Sequence, residues 1–78
     1  MSALPALKDR LARVIRARRQ ALQLSQEAFA DRLQMHRAFY GRVENGQNLT
    51  LQTLERVAEG LGVPAWELLR EADHHKAD

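Results

Sequence analysis

Apolar residues recur at helical spacing along nearly the whole chain, and no stretch alternates for long enough to predict a strand. The apolar pattern falls into five segments that are joined by short polar connections. These segments predict helices at about residues 5–22, 26–33, 36–44, 50–61 and 64–72. The sequence therefore predicts an all-α fold, a compact bundle of five helices.

Residues that favour helix ends flank these segments. Pro5 suits the first turn of a helix, where its missing N–H costs nothing. Ser25 and Thr50 are good caps for the second and fourth helices, because their hydroxyl groups can accept from free backbone N–H groups. Asn45-Gly46 is expected to end the third helix, since Gly46 is free to adopt a positive φ.

The apolar stripe of each helix predicts which side chains are buried. The first stripe is interrupted by Arg18, whose long stem could cover the edge of the core while its charge reaches water. The expected core comprises Leu7, Leu11, Val14, Ile15 and Leu22 in the first helix, Ala28, Phe29, Ala30 and Leu33 in the second, Leu51, Leu54, Val57, Ala58 and Leu61 in the fourth, and Ala65, Leu68 and Leu69 in the fifth.

The length and composition narrow the class of protein. We interpret the 78 residues as one domain with a polar tail from about residue 73. This length is near the lower limit for a domain that folds without disulfides or a structural metal. The absence of cysteine excludes disulfides and thiolate metal sites, and no apolar run approaches the roughly 20 residues of a membrane span. With no signal peptide visible, we expect a cytoplasmic protein. The adjacent His74 and His75 are not expected to bind a metal, and no cofactor is expected.

The distribution of charge is more informative than the net charge of +2. Seven of the twelve basic residues precede residue 34, whereas acidic residues crowd the end of the chain. Such asymmetry suits an anionic partner, although a basic helix face is more often simply solvated.

The third predicted helix has two chemically different sides. At about 100° per residue, the first side is apolar and aromatic, as a core face should be, whereas the second carries two guanidinium groups beside small residues. Small residues let a backbone approach a groove, and arginine to guanine is the commonest specific contact in the major groove of DNA. The alternative is that Gly41 merely relieves crowding and the arginines are solvated. The first side contains His36, Phe39, Tyr40 and Val43, and the second contains Arg37, Ala38, Gly41, Arg42 and Asn45.

Residues 24–46 have the spacing of a helix-turn-helix. Such a motif needs a small residue where its helices cross, which Ala30 supplies, and a turn residue, which is Gln34. It also needs apolar residues three apart on the second helix, here Tyr40 and Val43. The stretch resembles the helix-turn-helix of the Cro and lambdoid-phage-repressor family, also called the xenobiotic-response-element family.

The resemblance extends over most of the chain. Arg19, Leu54 and Ala58, followed by Leu61-Gly62-Val63, occur in the family's order. Within the family, residues 35–40 are most similar to controller proteins of restriction–modification systems. The resemblance implies a bundle of the lambda-repressor type that binds double-stranded DNA.

The resemblance also implies roles for individual residues. The recognition helix, about 36–44, would enter the major groove. Its second side, which carries Arg37 and Arg42, would face the DNA. Gln26 is similar to a glutamine that touches phosphate and braces that helix, and a helix N-terminus favours phosphate. Arg19 and Glu44 resemble an inward-facing salt bridge. The loop residues Asn45, Gln47 and Asn48 would follow the DNA backbone, although this loop lacks the family's frequent basic residues.

Three residues depart from the family pattern. Gln34 stands where the family usually has glycine at positive φ, so the turn should be strained or different. Tyr40 replaces an aliphatic residue, and its hydroxyl therefore needs a partner. Trp66 falls where the family is usually polar and exposed, so with Val63 and Leu69 it is expected to form a dimer interface. The alternative is that Trp66 folds back onto the first helix.

The sequence therefore favours a DNA-binding transcriptional regulator, a homodimer that binds a pseudo-palindromic operator. The alternative is an antitoxin-like protein-interaction module that binds DNA only for autoregulation. An enzyme is not expected, since no nucleophile is paired with a base and no glycine-rich phosphate loop is present.

Overall fold

The computed structural model describes residues 5–74, and in this range it contains five helices and no strand, so the all-α prediction is confirmed. No helix in the range is long and apolar enough to cross a membrane. Most of the polar tail predicted from about residue 73, including His75, lies outside the described residues. The helices are α1 (Leu7–Ala21), α2 (Gln26–Leu33), α3 (Arg37–Val43), α4 (Leu51–Leu61) and α5 (Ala65–His74).

Side-chain caps define the beginnings of three helices. The Ser25 hydroxyl accepts a hydrogen bond from the Ala28 N–H at 3.0 Å, and the Thr50 hydroxyl accepts one from the Thr53 N–H at 3.1 Å. His36 precedes α3, and its Nδ1 accepts from the Ala38 N–H at 3.4 Å. Each contact satisfies a backbone donor that the first turn of a helix leaves free.

In the turn between α2 and α3, the backbone of Gln34 adopts the left-handed helical conformation although this residue has a full side chain. Gln34 has φ 56° and ψ 42°, a conformation that costs an L-residue about 1–2 kcal/mol. The Met35 N–H donates to the Ala30 carbonyl at 2.9 Å, which closes the end of α2. Arg56 of α4 donates to the Leu33 carbonyl and, at 3.2 Å, to the Gln34 carbonyl. A side chain from α4 therefore satisfies the carbonyl groups that the turn exposes.

The core contains side chains from all five helices. Phe29 and Tyr40 are fully buried and meet edge to face, with ring centroids 5.3 Å apart. At Gly60 an added Cβ would lie only 2.2 Å from Leu33 Cδ2, so a larger residue there would force the buried Leu33 side chain to shift. The other large, fully buried side chains are Val14, Ile15, Val43, Val57 and Leu68.

Four expected core residues are exposed instead. Leu51 is 77% exposed, and Leu7, Leu22 and Ala28 are also exposed. Leu7 and Leu51 are the first residues of their helices and Leu22 directly follows α1, so these three side chains lie at helix ends. The prediction was wrong there because helical spacing identifies a face but not where the packing partner ends. Ala12, Met35, Thr53 and Ala72 are buried without having been expected in the core.

Replacing Gln34 with glycine should stabilise the fold. Glycine adopts positive φ without steric cost but loses more freedom on folding, so we expect the free energy of unfolding to rise by roughly 0.5–1 kcal/mol. Denaturant unfolding measures this change, and Gln34→Ala is the matched control because it keeps the Cβ. A lower stability for Gln34→Gly than for Gln34→Ala would contradict the strain at this turn.

Candidate nucleic-acid interface

The α2–turn–α3 pair presents one side of α3 to solvent. Tyr40 and Val43 are fully buried and hold α3 against the core. On the opposite side, Arg37, Ala38 and Arg42 are exposed and Gly41 is half-buried. His36, which helical spacing grouped with the core side, is exposed because it caps the helix rather than belonging to it.

Arg37 of this exposed side is only loosely engaged within the protein. Arg37 Nη1 lies 4.0 Å from Glu27 Oε1, and both side chains are about 70% exposed. An ion pair of this length between exposed groups contributes little to stability. The Arg37 guanidinium is therefore available to a ligand.

Gly41 leaves open space on the same surface. An added Cβ would meet only Gln26 Oε1, at 4.0 Å, which is ordinary van der Waals contact. Crowding within the protein therefore does not explain the glycine. An alanine would fit, and it would favour the helix by about 1 kcal/mol.

A buried ion pair joins α1 to the end of α3. Arg19 Nε donates to Glu44 Oε2 at 2.6 Å, and Arg19 Nη2 donates to Glu44 Oε1 at 3.1 Å. The side chains are 10% and 0% exposed, respectively. Arg19 Nη1 also donates to the Leu24 carbonyl at 2.7 Å, so the same guanidinium holds the connection that leads into α2.

Two further side chains donate to the same carboxylate. The Tyr40 hydroxyl donates to Glu44 Oε2, and Gln26 Nε2 donates to Glu44 Oε1 at 2.9 Å. Burial on its own raises the pKa of the Glu44 carboxyl group, but the hydrogen bonds from Arg19, Tyr40 and Gln26 outweigh it and lower that pKa. Burial, together with the hydrogen bond to Glu44, raises the pKa of Tyr40. Glu44 is therefore ionised and Tyr40 neutral near pH 7.

Gln26 lies between this buried cluster and the exposed side of α3. It is half-buried, with its amide nitrogen on Glu44 and its amide oxygen beside Gly41. It is also the first residue of α2, directly after the Ser25 cap. The structure thus gives Gln26 a contact that braces α3 and a location at the edge of the exposed surface.

The loop after α3 turns its polar side chains outward. Asn45, Gln47 and Asn48 are exposed, whereas Gly46 is buried with φ 84°. A Cβ at Gly46 would lie 2.7 Å from Asp9 Oδ1, so the loop packs closely against the start of α1. This contact holds the polar side chains beside the end of α3.

Trp66 lies on a different surface. Its side chain is 59% exposed on α5, while Val63 and Leu69 are half-buried against the core. Arg18 of α1 contacts Glu67 at 3.0 Å and Glu71 at 2.8 Å, and these ion pairs attach α5 to α1. Trp66 does not fold back into the core.

Two arginines have roles that sequence reasoning missed. Arg56 caps the turn at Gln34, and Arg16 contacts Glu44 through Nε at 3.5 Å from Oε1. The spacing of Arg16 and Arg19, three residues apart on one helix, was a signal that both could face the same partner. No such signal existed for Arg56, whose contact depends on how α4 packs. Within residues 5–74, no group of acidic, histidine or cysteine residues could hold a metal ion.

Comparison with known proteins gives two matches. The model of a family described as helix-turn-helix matches residues 15–67, which include α2, α3 and α4 entirely. The control protein C.MunI of a Mycoplasma species is 37% identical over 57 residues, which cover 72% of this chain and 77% of that protein. Both matches confirm the family resemblance inferred from the sequence.

Replacing Arg19 with alanine should strongly destabilise the protein. The change leaves a buried carboxylate without its main counter-charge, and we expect the free energy of unfolding to fall by roughly 3–5 kcal/mol. Arg18→Ala on the same helix is the matched control, because its partly exposed ion pairs should contribute at most about 1 kcal/mol each. Thermal or denaturant unfolding of both variants measures the difference, and equal, small losses would contradict a structural role for Arg19.

Proposed function

Because the chain belongs to the helix-turn-helix family of the xenobiotic-response-element type, whose members are DNA-binding transcription regulators, we propose a specific mode of action. The protein is a sequence-specific regulator that binds a pseudo-palindromic operator as a homodimer. α3 is its recognition helix and enters the major groove. The observation that carries this proposal is the exposed side of α3, where Arg37 and Arg42 flank the small residues Ala38 and Gly41.

The chemistry of α3 suits a reader of base edges. Arginine forms bidentate hydrogen bonds with guanine in the major groove. Ala38 and Gly41 have no large side chain that could keep the helix from approaching a groove, and a Cβ at Gly41 would meet only Gln26 Oε1. Since Tyr40 and Val43 anchor the opposite side in the core, α3 can approach DNA without losing its packing.

Residues around α3 suit contacts with the DNA backbone. Gln26 begins α2, where free N–H groups and the helix dipole favour phosphate. Asn45, Gln47 and Asn48 have exposed amide groups beside the end of α3. Contacts of this kind fix the register of a protein on the duplex but carry no sequence information.

The likeness to C.MunI supports a regulatory role of a particular kind. That relative is named a control protein. Residues 35–40 of this chain resemble controller proteins of restriction–modification systems. We therefore infer that the genes under control belong to such a system, and that the protein acts in the cytoplasm, where its DNA is.

The surface around Trp66 supports a homodimer. A tryptophan with 59% exposure beside the apolar residues Val63 and Leu69 is typical of an interface anchor. The ion pairs of Arg18 with Glu67 and Glu71 join this helix to α1. For both recognition helices to enter successive major grooves, a two-fold axis at this surface has to set them about 34 Å apart, one turn of the duplex.

Selection from random double-stranded oligonucleotides tests the function and the dimer together. We expect a pseudo-palindrome whose half-sites are centred about 10 base pairs apart. Enrichment of no sequence would contradict the regulator, and enrichment of a single half-site would contradict the dimer.

Trp66 provides the matching test in the absence of DNA. Because it is the chain's single tryptophan, its fluorescence emission reports on this surface alone. We expect the emission to shift to shorter wavelength over the same range of protein concentration in which sedimentation detects a dimer. Trp66→Ala should remain monomeric, whereas Leu22→Ala, which removes an exposed apolar side chain elsewhere, should dimerise like the wild type. A monomeric wild type at high concentration would rule out this interface.

Gly41→Ala should change stability and DNA binding in opposite directions. We expect stability to rise by about 1 kcal/mol, because alanine favours the helix and meets no close neighbour. Affinity for the selected operator should fall, because the new methyl group stands on the surface that meets the groove. Thermal unfolding and binding titrations measure the two effects, and unchanged affinity with raised stability would exclude Gly41 from the interface.

A further inference from the structure

We propose that Arg16 of α1 binds a DNA backbone phosphate beside the recognition helix, a role that rests on the proposed function. Neither the helix-turn-helix motif nor the exposed side of α3 includes this residue. Its side chain reaches the end of α3 from the neighbouring helix. The ligand is a phosphate diester of the duplex, and the contact adds affinity without reading sequence.

The geometry holds the Arg16 guanidinium at the edge of the DNA-facing surface. Arg16 Nη2 donates to the Glu44 carbonyl at 3.4 Å, and its Nε lies 3.5 Å from Glu44 Oε1. Glu44 is the residue at which α3 ends and the outward-facing loop begins. The Arg16 side chain is nevertheless 47% exposed, so part of the guanidinium faces solvent at this junction.

The carboxylate beside Arg16 does not require it. The two Glu44 oxygens already accept four hydrogen bonds, two from Arg19, one from Tyr40 and one from Gln26. Arg16 adds an ion-pair contact but no hydrogen bond to the carboxylate. Two guanidinium groups therefore face one carboxylate, and the excess positive charge lies on the exposed member of the pair.

The loop next to Arg16 contains no cationic residue. Residues 45–49 are Asn, Gly, Gln, Asn and Leu, which carry amide groups but no charge. Arginine binds phosphate strongly because its planar fork forms two charge-assisted hydrogen bonds. Arg16 supplies this group from α1, and its contacts with Glu44 order the side chain before DNA arrives.

Two nearby arginines of α1 cannot take this role. Arg19 is 10% exposed, and its donors are used on Glu44 and Leu24. Arg18 pairs with Glu67 and Glu71 on α5, at the other surface. Arg16 thus differs from both in lying beside α3 while remaining half exposed.

The test compares Arg16→Gln, Arg16→Lys and the control Arg32→Gln by the salt dependence of binding. Arg32 is exposed in the last turn of α2, six residues or about 9 Å along the helix from Gln26, so its replacement matches the loss of charge away from the interface. Affinities for the selected operator and for random duplex are measured over a range of salt concentrations. Each variant is kept well below its melting temperature.

Arg16→Gln should reduce the slope of log affinity against log salt by about 0.9 for each protomer bound. Its affinity should fall several-fold, by the same factor on operator and on random duplex. Arg16→Lys should keep the wild-type slope because it keeps the charge, and Arg32→Gln should keep it as well. The melting temperature of Arg16→Gln should stay close to that of the wild type.

The outcomes separate this proposal from the proposed function. A wild-type slope for Arg16→Gln, with operator binding intact, would overturn the role of Arg16 alone. A larger loss on operator than on random duplex would also overturn it, because Arg16 would then affect base reading. Failure of Arg16→Gln to fold would make the residue structural and overturn the proposal too. Absence of any sequence preference in the wild type would refute the proposed function, whatever the slope for Arg16.

Discussion

The buried carboxylate of Glu44 is the constraint on which the arrangement of the helix-turn-helix depends. It receives hydrogen bonds from Arg19 of α1, from Gln26 of α2 and from Tyr40 within α3. α3 has only seven residues and could not persist alone in water. Its position therefore comes from tertiary contacts, and this cluster specifies both its tilt and the side that it exposes.

An apolar cluster of the same size could hold the three helices equally well, because a buried ion pair repays its desolvation only when its geometry is good. The carboxylate differs from such a cluster because its hydrogen bonds are directional. Its two oxygens accept donors from defined angles, whereas apolar side chains tolerate small rotations of a helix. A rotation of α3 by one residue, about 100°, would turn one of its two exposed arginines, Arg37 or Arg42 depending on the direction, toward the core. We infer that the directional contacts at Glu44 fix which side of α3 faces solvent.

Local sequence patterns predicted the helices and the two sides of α3, because spacing and capping are properties of short segments. Family resemblance was needed to pair Arg19 with Glu44, since α1 and α3 are 25 residues apart at these positions. Two contacts escaped prediction, Arg16 on Glu44 and Arg56 at the turn. The family resemblance did imply that Gln26 braces the recognition helix, but the sequence did not show that Glu44 is its partner. Long polar side chains can reach several partners, and the packing of whole helices decides which one they meet.

Gly41, Trp66 and Gln34 each depart from the residue preference of their local structure, but for different reasons. Gly41 weakens a helix where space is open, and Trp66 exposes an aromatic ring, so each has a local cost without a contact in the described part of the chain that explains it. Such features are expected at surfaces that meet a partner. Gln34 is also strained, yet Arg56 binds its carbonyl and the turn closes normally. Compensation within the fold therefore distinguishes the turn, where Arg56 offsets the strain, from Gly41 and Trp66, whose costs no contact within residues 5–74 offsets.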